Sequence, residues 1–163
     1  MSLETKEINS VKIIFDKEKT KAKAYRAYSC GCQDCRNFYK NIENNTELVA
    51  FLNDFGIVYN CDDEVFSRDW GNDKNSLIHY EGYYGVWGRI EGGDFDYENF
   101  GVKISFQKDP SLPYDRPDEC FWIRIEGDFP YLLEEERELP ITFSQKILEL
   151  DIVTKIKTIL KKK

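Results

Sequence analysis

An α+β fold, with an N-terminal helical pair packed on a mostly antiparallel sheet and a C-terminal amphipathic helix, is what this sequence predicts. Three observations lead there. Apolar residues recur at helical spacing twice between Cys32 and Phe55, and four strand-like segments between 76 and 127 are separated by Gly-, Asp- or Pro-containing breaks. Near the end, Leu148, Ile152, Ile156 and Ile159 fall on one helical face over about 144–160. With 163 residues, 41% of them apolar, and 11 Phe, 10 Tyr and 3 Trp, the chain can bury one sizeable core. A single domain is expected over 1–163, its core at about 10–140.

Each element has its own reason. Residues 11–15 form a short apolar run consistent with a strand, and 22–29 is expected to extend or pair with it through Ala24, Ala27 and two tyrosines. Cys32, Cys35, Tyr39 and Ile42 recur at i, i+3, i+7 and i+10 and share one helical face with Phe38, which puts two of three neighbouring cysteines on a buried stripe. Asn45 or Thr46 caps a second helix whose Leu48, Phe51, Leu52 and Phe55 share a face, and Gly56 offers a left-handed stop.

The chain then turns β-like. Ile57-Val58-Tyr59 reads as a short strand, Asp62-Asp63-Glu64 as an acidic stretch, and the segment through Gly71-Asn72-Asp73 as irregular. Segments 76–81, 83–91, 101–107 and 120–127 read as a meander. Val102, Ile104 and Phe106 alternate with Lys103, Ser105 and Gln107, and Phe121, Ile123 and Ile125 with Trp122, Arg124 and Glu126. Pro110, Pro113 and Pro117 mark 108–119 as a loop. Glu134-Glu135-Glu136 is a solvated face, and Lys161-Lys162-Lys163 suits a helix C-terminus. Met1-Ser2-Leu3 carries no weight.

A net charge of −7 and a pI near 4.9 argue against general affinity for nucleic acid or anionic membranes, and favour a basic protein partner. No apolar run reaches the roughly 18 residues of a membrane span, and no secretion signal is visible, so a cytoplasmic protein is expected. Five cysteines is an odd number, and free thiols are the default in that compartment.

Cys30, Cys32 and Cys35 can supply three of the four ligands of a zinc site, the fourth falling to Cys61, Cys120 or His79, none of which has knuckle spacing. The same cluster at a helix start, with Arg36 beside it, suits redox chemistry through a lowered thiol pKa. The plainer reading is three small buried hydrophobes. His79 is the only histidine, and a Cys35–His79 dyad is a weak nucleophilic pair. Pairs such as Asp62/Asp63 and Asp94/Asp96 read as solvated turns. Gly82 to Arg89 does not match a phosphate loop. Its Tyr83, Tyr84 and Trp87, with Tyr80, form either core against the helices or a binding patch rich in aromatics.

The run Cys30-Gly31-Cys32-Gln33-Asp34-Cys35-Arg36-Asn37-Phe38, followed by a helix, Tyr80-Glu81-Gly82-Tyr83-Tyr84 and Gly88-Arg89-Ile90-Glu91, resembles a family of small uncharacterised bacterial proteins. The family's middle motif is close to His-Leu-Tyr-Gly-Gly-Trp-Phe-x-Phe-x-Gly-Arg, and its late strand is similar to Ile123 through Tyr131. The likeness spans roughly 25–135 and implies a cytoplasmic bacterial protein with no assigned activity. Aligned on Gly88-Arg89, the family histidine falls on Ile78, and Glu81 replaces one glycine, so His79 is not implied to be a ligand or base.

The leading expectation is a non-enzymatic binding module of the immunity or antitoxin type, with no cofactor. In it Tyr83, Tyr84 and Trp87 anchor a basic protein and Asp94 and Asp96 steer it, with neither nucleic acid nor membrane as partner. The alternative is a thiol-redox or zinc-binding protein using Cys30, Cys32 and Cys35.

Overall fold

The computed structural model describes residues 3–24, 30–69, 75–110 and 119–137. Within them the strands are β1 (Leu3–Ile8), β2 (Val11–Asp16), β3 (Glu64–Asp69), β4 (Ile78–Glu91), β5 (Phe95–Asn99), β6 (Val102–Gln107) and β7 (Cys120–Phe129). Between β2 and β3 run the helices α1 (Lys17–Ala24), α2 (Gln33–Asn44) and α3 (Thr46–Asp54). The α+β class therefore holds. The expected helix at 144–160 and most of the 108–119 loop lie outside the described residues.

One antiparallel sheet runs in the order β1-β2-β4-β7-β6-β5, with β3 also paired to β4. The 14-residue β4 is its spine. It pairs with β7 from Ile78 to Trp87, with β3 from Ile78 to Tyr83, and with β2 from Gly88 to Glu91. The sequence suggests a break near Gly82, dividing 76–81 from 83–91, but the strand runs straight through. A Cβ on Gly82 would lie 2.4 Å from Phe38 Cζ, so this glycine admits a helix side chain to the sheet surface.

Because side chains alternate along a strand, each sheet face has its own residue set. Tyr80, Tyr84 and Val86 of β4, Ile123 and Ile125 of β7, and Ile104 and Phe106 of β6 meet Phe38 and Ile42 of α2 and Leu48, Phe51, Leu52 and Phe55 on the α3 side in one apolar core. Burying such side chains stabilises the fold by about 1.5–3 kcal/mol each. Asn45 caps α3 by accepting the Leu48 N–H at 3.1 Å, and Gly56 follows with φ +79°.

The other face carries Glu81, Tyr83, Trp122, Arg124 and Glu126, of which Tyr83 and Trp122 form a small buried cluster.

Several elements depart from expectation. Residues 22–24 belong to α1, not to a strand, and 25–29 lie outside the described residues. Asp16 starts this helix by accepting the Lys19 N–H at 2.9 Å, and Thr20 Oγ1 accepts the Trp87 N–H at 3.1 Å, so polar contacts hold a helix that lacks an apolar face. Among the described residues Ile57-Val58-Tyr59 pairs with no strand, and Val58 closes a turn by accepting the Cys61 N–H at 2.9 Å. β1, β3 and β5 are strands where none was expected, each rich in charged residues. Among the described residues no helix is long and apolar enough to cross a membrane.

Candidate functional site

The first turn of α2 sets the geometry of the cysteine cluster. Cys32 is the N-cap, with extended backbone angles, and its Sγ accepts the Cys35 N–H at 3.5 Å. Cys30 lies just before this turn, so the Sγ atoms of Cys30, Cys32 and Cys35 all fall within 4.8 Å of one another. The spacing C-x-C-x-x-C produces this because a helix N-terminus folds the preceding residues back over its first turn. The stripe reading is half right: Cys35 is buried, but Cys32, at the cap, is exposed like Cys30.

The three thiols are electrostatically unlike. The Cys32 backbone N–H, followed by the Cys32 and Cys35 side chains, hydrogen-bonds Cys30 and holds its thiol below the ordinary value. Burial, with hydrogen bonds given toward Cys32 and Cys30, pushes the Cys35 thiol well above it. The pattern is one sulfur favoured as anion, supported by a buried proton donor. Asp62, whose own carboxyl is raised by burial against a hydrogen bond from the Tyr39 hydroxyl, opposes ionisation of Cys30.

The cluster sits on a fastened platform. Arg36 donates through Nε to Gly31 C=O at 3.0 Å, holding the loop that carries Cys30 and Cys32, and through its guanidinium to Glu135. Gln33 donates to Glu135 at 3.1 Å and to Glu136 C=O at 3.0 Å. One turn on, the fully buried Asn37 donates to Tyr80 Oη and Pro130 C=O, each at 3.1 Å, and accepts the Leu132 N–H at 2.7 Å. Asn41 donates to Pro130 C=O at 3.0 Å. These polar residues tie residues 130–136 across α2. Nothing in hydrophobic periodicity marks them, although two asparagines four apart inside a helix are a signal that polar partners are needed.

The other site residues scatter. Tyr84 is 2% exposed, and its hydroxyl donates to Tyr59 C=O at 2.7 Å, so its ring belongs to the core. Tyr83 lies on the opposite face against Trp122. Trp87 is half-buried with the Lys19 ammonium 5.2 Å from its ring centre. Asp94 and Asp96 are not in one acidic loop: Asp94 accepts the Lys108 N–H at 2.9 Å, and Asp96 lies on β5, paired to Lys103 at 3.0 Å. His79 Nδ1 lies 2.7 Å from Asp128 Oδ1, on the sheet face away from α2, which removes the Cys35–His79 dyad. Neither Cys61, Cys120 nor His79 joins the sulfur cluster.

No known family model, catalogued protein or solved structure matches this chain. The motif resemblance therefore rests on its residues alone.

Burial separates the cysteines experimentally. In metal-free, reducing buffer Cys35→Ser should destabilise by on the order of 1–3 kcal/mol, because a hydroxyl replaces a buried thiol in an apolar setting. Cys30→Ser should leave the melting temperature unchanged. Equal melting temperatures for the two variants would contradict the burial of Cys35.

Proposed function

We propose that the protein binds a soft metal ion, zinc foremost, through the Cys30, Cys32 and Cys35 thiolates at the N-terminus of α2. The observation that carries this reading is the convergence of three Sγ atoms within 4.8 Å of one another. A tetrahedral zinc with bonds of about 2.3 Å needs its sulfurs about 3.8 Å apart, so each has only a small distance to move. The positive end of the helix dipole favours the thiolate charge. A reducing cytoplasm, where thiols stay free, suits such a site.

Among the described residues three ligands converge, and with the fourth position left to water or an incoming donor the arrangement suits an exchangeable ion more than a structural one. Ligation displaces thiol protons, so apparent affinity should rise with pH. The raised Cys35 thiol extends that rise into the alkaline range. Titration with Co(II), followed by its sulfur charge-transfer absorption and by zinc displacement, should give one ion per chain. Cys32→Ser should weaken binding by about 100-fold or more, while Cys61→Ser leaves it unchanged. Absence of saturation at micromolar ion, or equal losses in both variants, would overturn the site.

A second reading, the acidic binding module of the immunity or antitoxin type, draws support from Phe66. It is 42% exposed on β3 and meets Tyr83 edge-on at 5.9 Å. Its partner would be basic, and its binding would be indifferent to Cys32→Ser.

A further inference from the structure

A groove of about 690 Å³ opens on the sheet face away from α2 and α3, between β2 and the start of β7, with the spine strand β4 as its floor. We propose that it binds a small organic anion with a flat apolar body, such as an aromatic carboxylate, sulfonate or phosphate ester. Nothing in the cysteine cluster takes part.

The volume lies within the range of small-molecule sites, which are mostly apolar with a few placed polar groups. Leu3, Ile14 and the Trp87 ring supply apolar wall. Lys19, Arg89 and Lys108 supply cations, from three separate segments of a chain whose net charge is −7. Such convergence against the overall charge is what anion recognition needs.

The cations are differently engaged. Arg89 lies 3.6 Å from Glu91, whereas Lys19 and Lys108 have no carboxylate within salt-bridge distance among the described residues. Lys19 holds its ammonium over Trp87, which places a cation and an aromatic surface side by side. Two acids also border the groove. Asp16 is 5% exposed and uses Oδ1 to accept the Lys19 N–H, and Glu119 is exposed at the rim.

The floor is rigid where the ligand would lie. Gly88 N–H donates to Glu119 C=O at 2.8 Å, and a Cβ at Gly88 would meet Ile14 O at 2.1 Å, so β2, β4 and the entry to β7 close on one another there. Cys120 in the wall gives a built-in reporter, its thiol pushed up to about 11 by burial and therefore neutral and slow to alkylate.

Two fluorescent probes with the same aromatic body separate charge recognition from apolar adsorption: 1-anilinonaphthalene-8-sulfonate and the uncharged N-phenyl-1-naphthylamine. The sulfonate should bind at one per chain and at least tenfold more tightly than the neutral probe. The double variant Lys19→Gln, Lys108→Gln changes two side chains outside the apolar core and should erase that preference. Saturating sulfonate should slow alkylation of Cys120 by iodoacetamide about fivefold, read by peptide mass spectrometry, without slowing that of Cys30. Equal affinity for both probes, a preference that survives the double variant, or unprotected Cys120 would each overturn the site.

Discussion

Asn37→Leu should lower stability by about 3–5 kcal/mol and shift the urea midpoint down by roughly 2 M, because leucine matches the volume but cannot replace the bonds. Asn37 is 0% exposed and uses both ends of its amide: it donates to Tyr80 Oη and Pro130 C=O and accepts the Leu132 N–H. Substitution strands a buried hydroxyl and a backbone N–H, each costing about 1–3 kcal/mol when left without a partner. Asn41 still reaches Pro130 C=O, which limits the loss. Residues 130–136 should then become more sensitive to protease than the strands. A midpoint shift under about 0.5 M would mean that water readily replaces these bonds.

A comparable loss is expected from Gly88→Ala, for a steric reason. The residue has φ +147°, and an added Cβ would lie 2.1 Å from Ile14 O and 2.7 Å from Phe15 Cα. Both are backbone atoms of β2, so no side-chain rotation relieves the clash. The β2–β4 ladder must separate, at a cost of about 3 kcal/mol or more. Gly93→Ala is the control, since nothing lies within 4 Å of its added Cβ. It should stay within about 0.5 kcal/mol of the parent protein. Amide exchange should show the Gly88 variant losing protection first along residues 3–16. Full protection there would place the strain elsewhere.

How far the sequence discloses this structure depends on what holds each element. β6 and β7 are legible because Val102, Ile104 and Phe106, and Phe121, Ile123 and Ile125, recur at every second position, and α3 is legible from Asn45 and Gly56 at its ends. β1, β3 and β5 are not, because much of their length is Glu, Lys, Asp and Arg, and their pairing comes from neighbouring strands. α1 has no apolar stripe to read, since Thr20 and the Lys23–Asp63 pair hold it. Gly82 resembles a strand break until the Phe38 ring above it is seen.

The site divides in the same way. Three cysteines in six residues announce a cluster, but helical periodicity cannot say where the helix begins. Placing Cys32 inside α2 instead of at its cap reverses its exposure. The groove is invisible in sequence because Lys19, Trp87, Lys108 and Cys120 come from four separate stretches that only the sheet order brings together.

Metal ligation by Cys30, Cys32 and Cys35 is tested most directly by X-ray absorption at the zinc edge on protein loaded with one equivalent of zinc. Three sulfur neighbours at about 2.3 Å and one nitrogen or oxygen are expected, with the sulfur number falling to two in Cys32→Ser. A shell of nitrogen and oxygen alone, or a sulfur number unchanged by that substitution, would contradict the three-thiolate site.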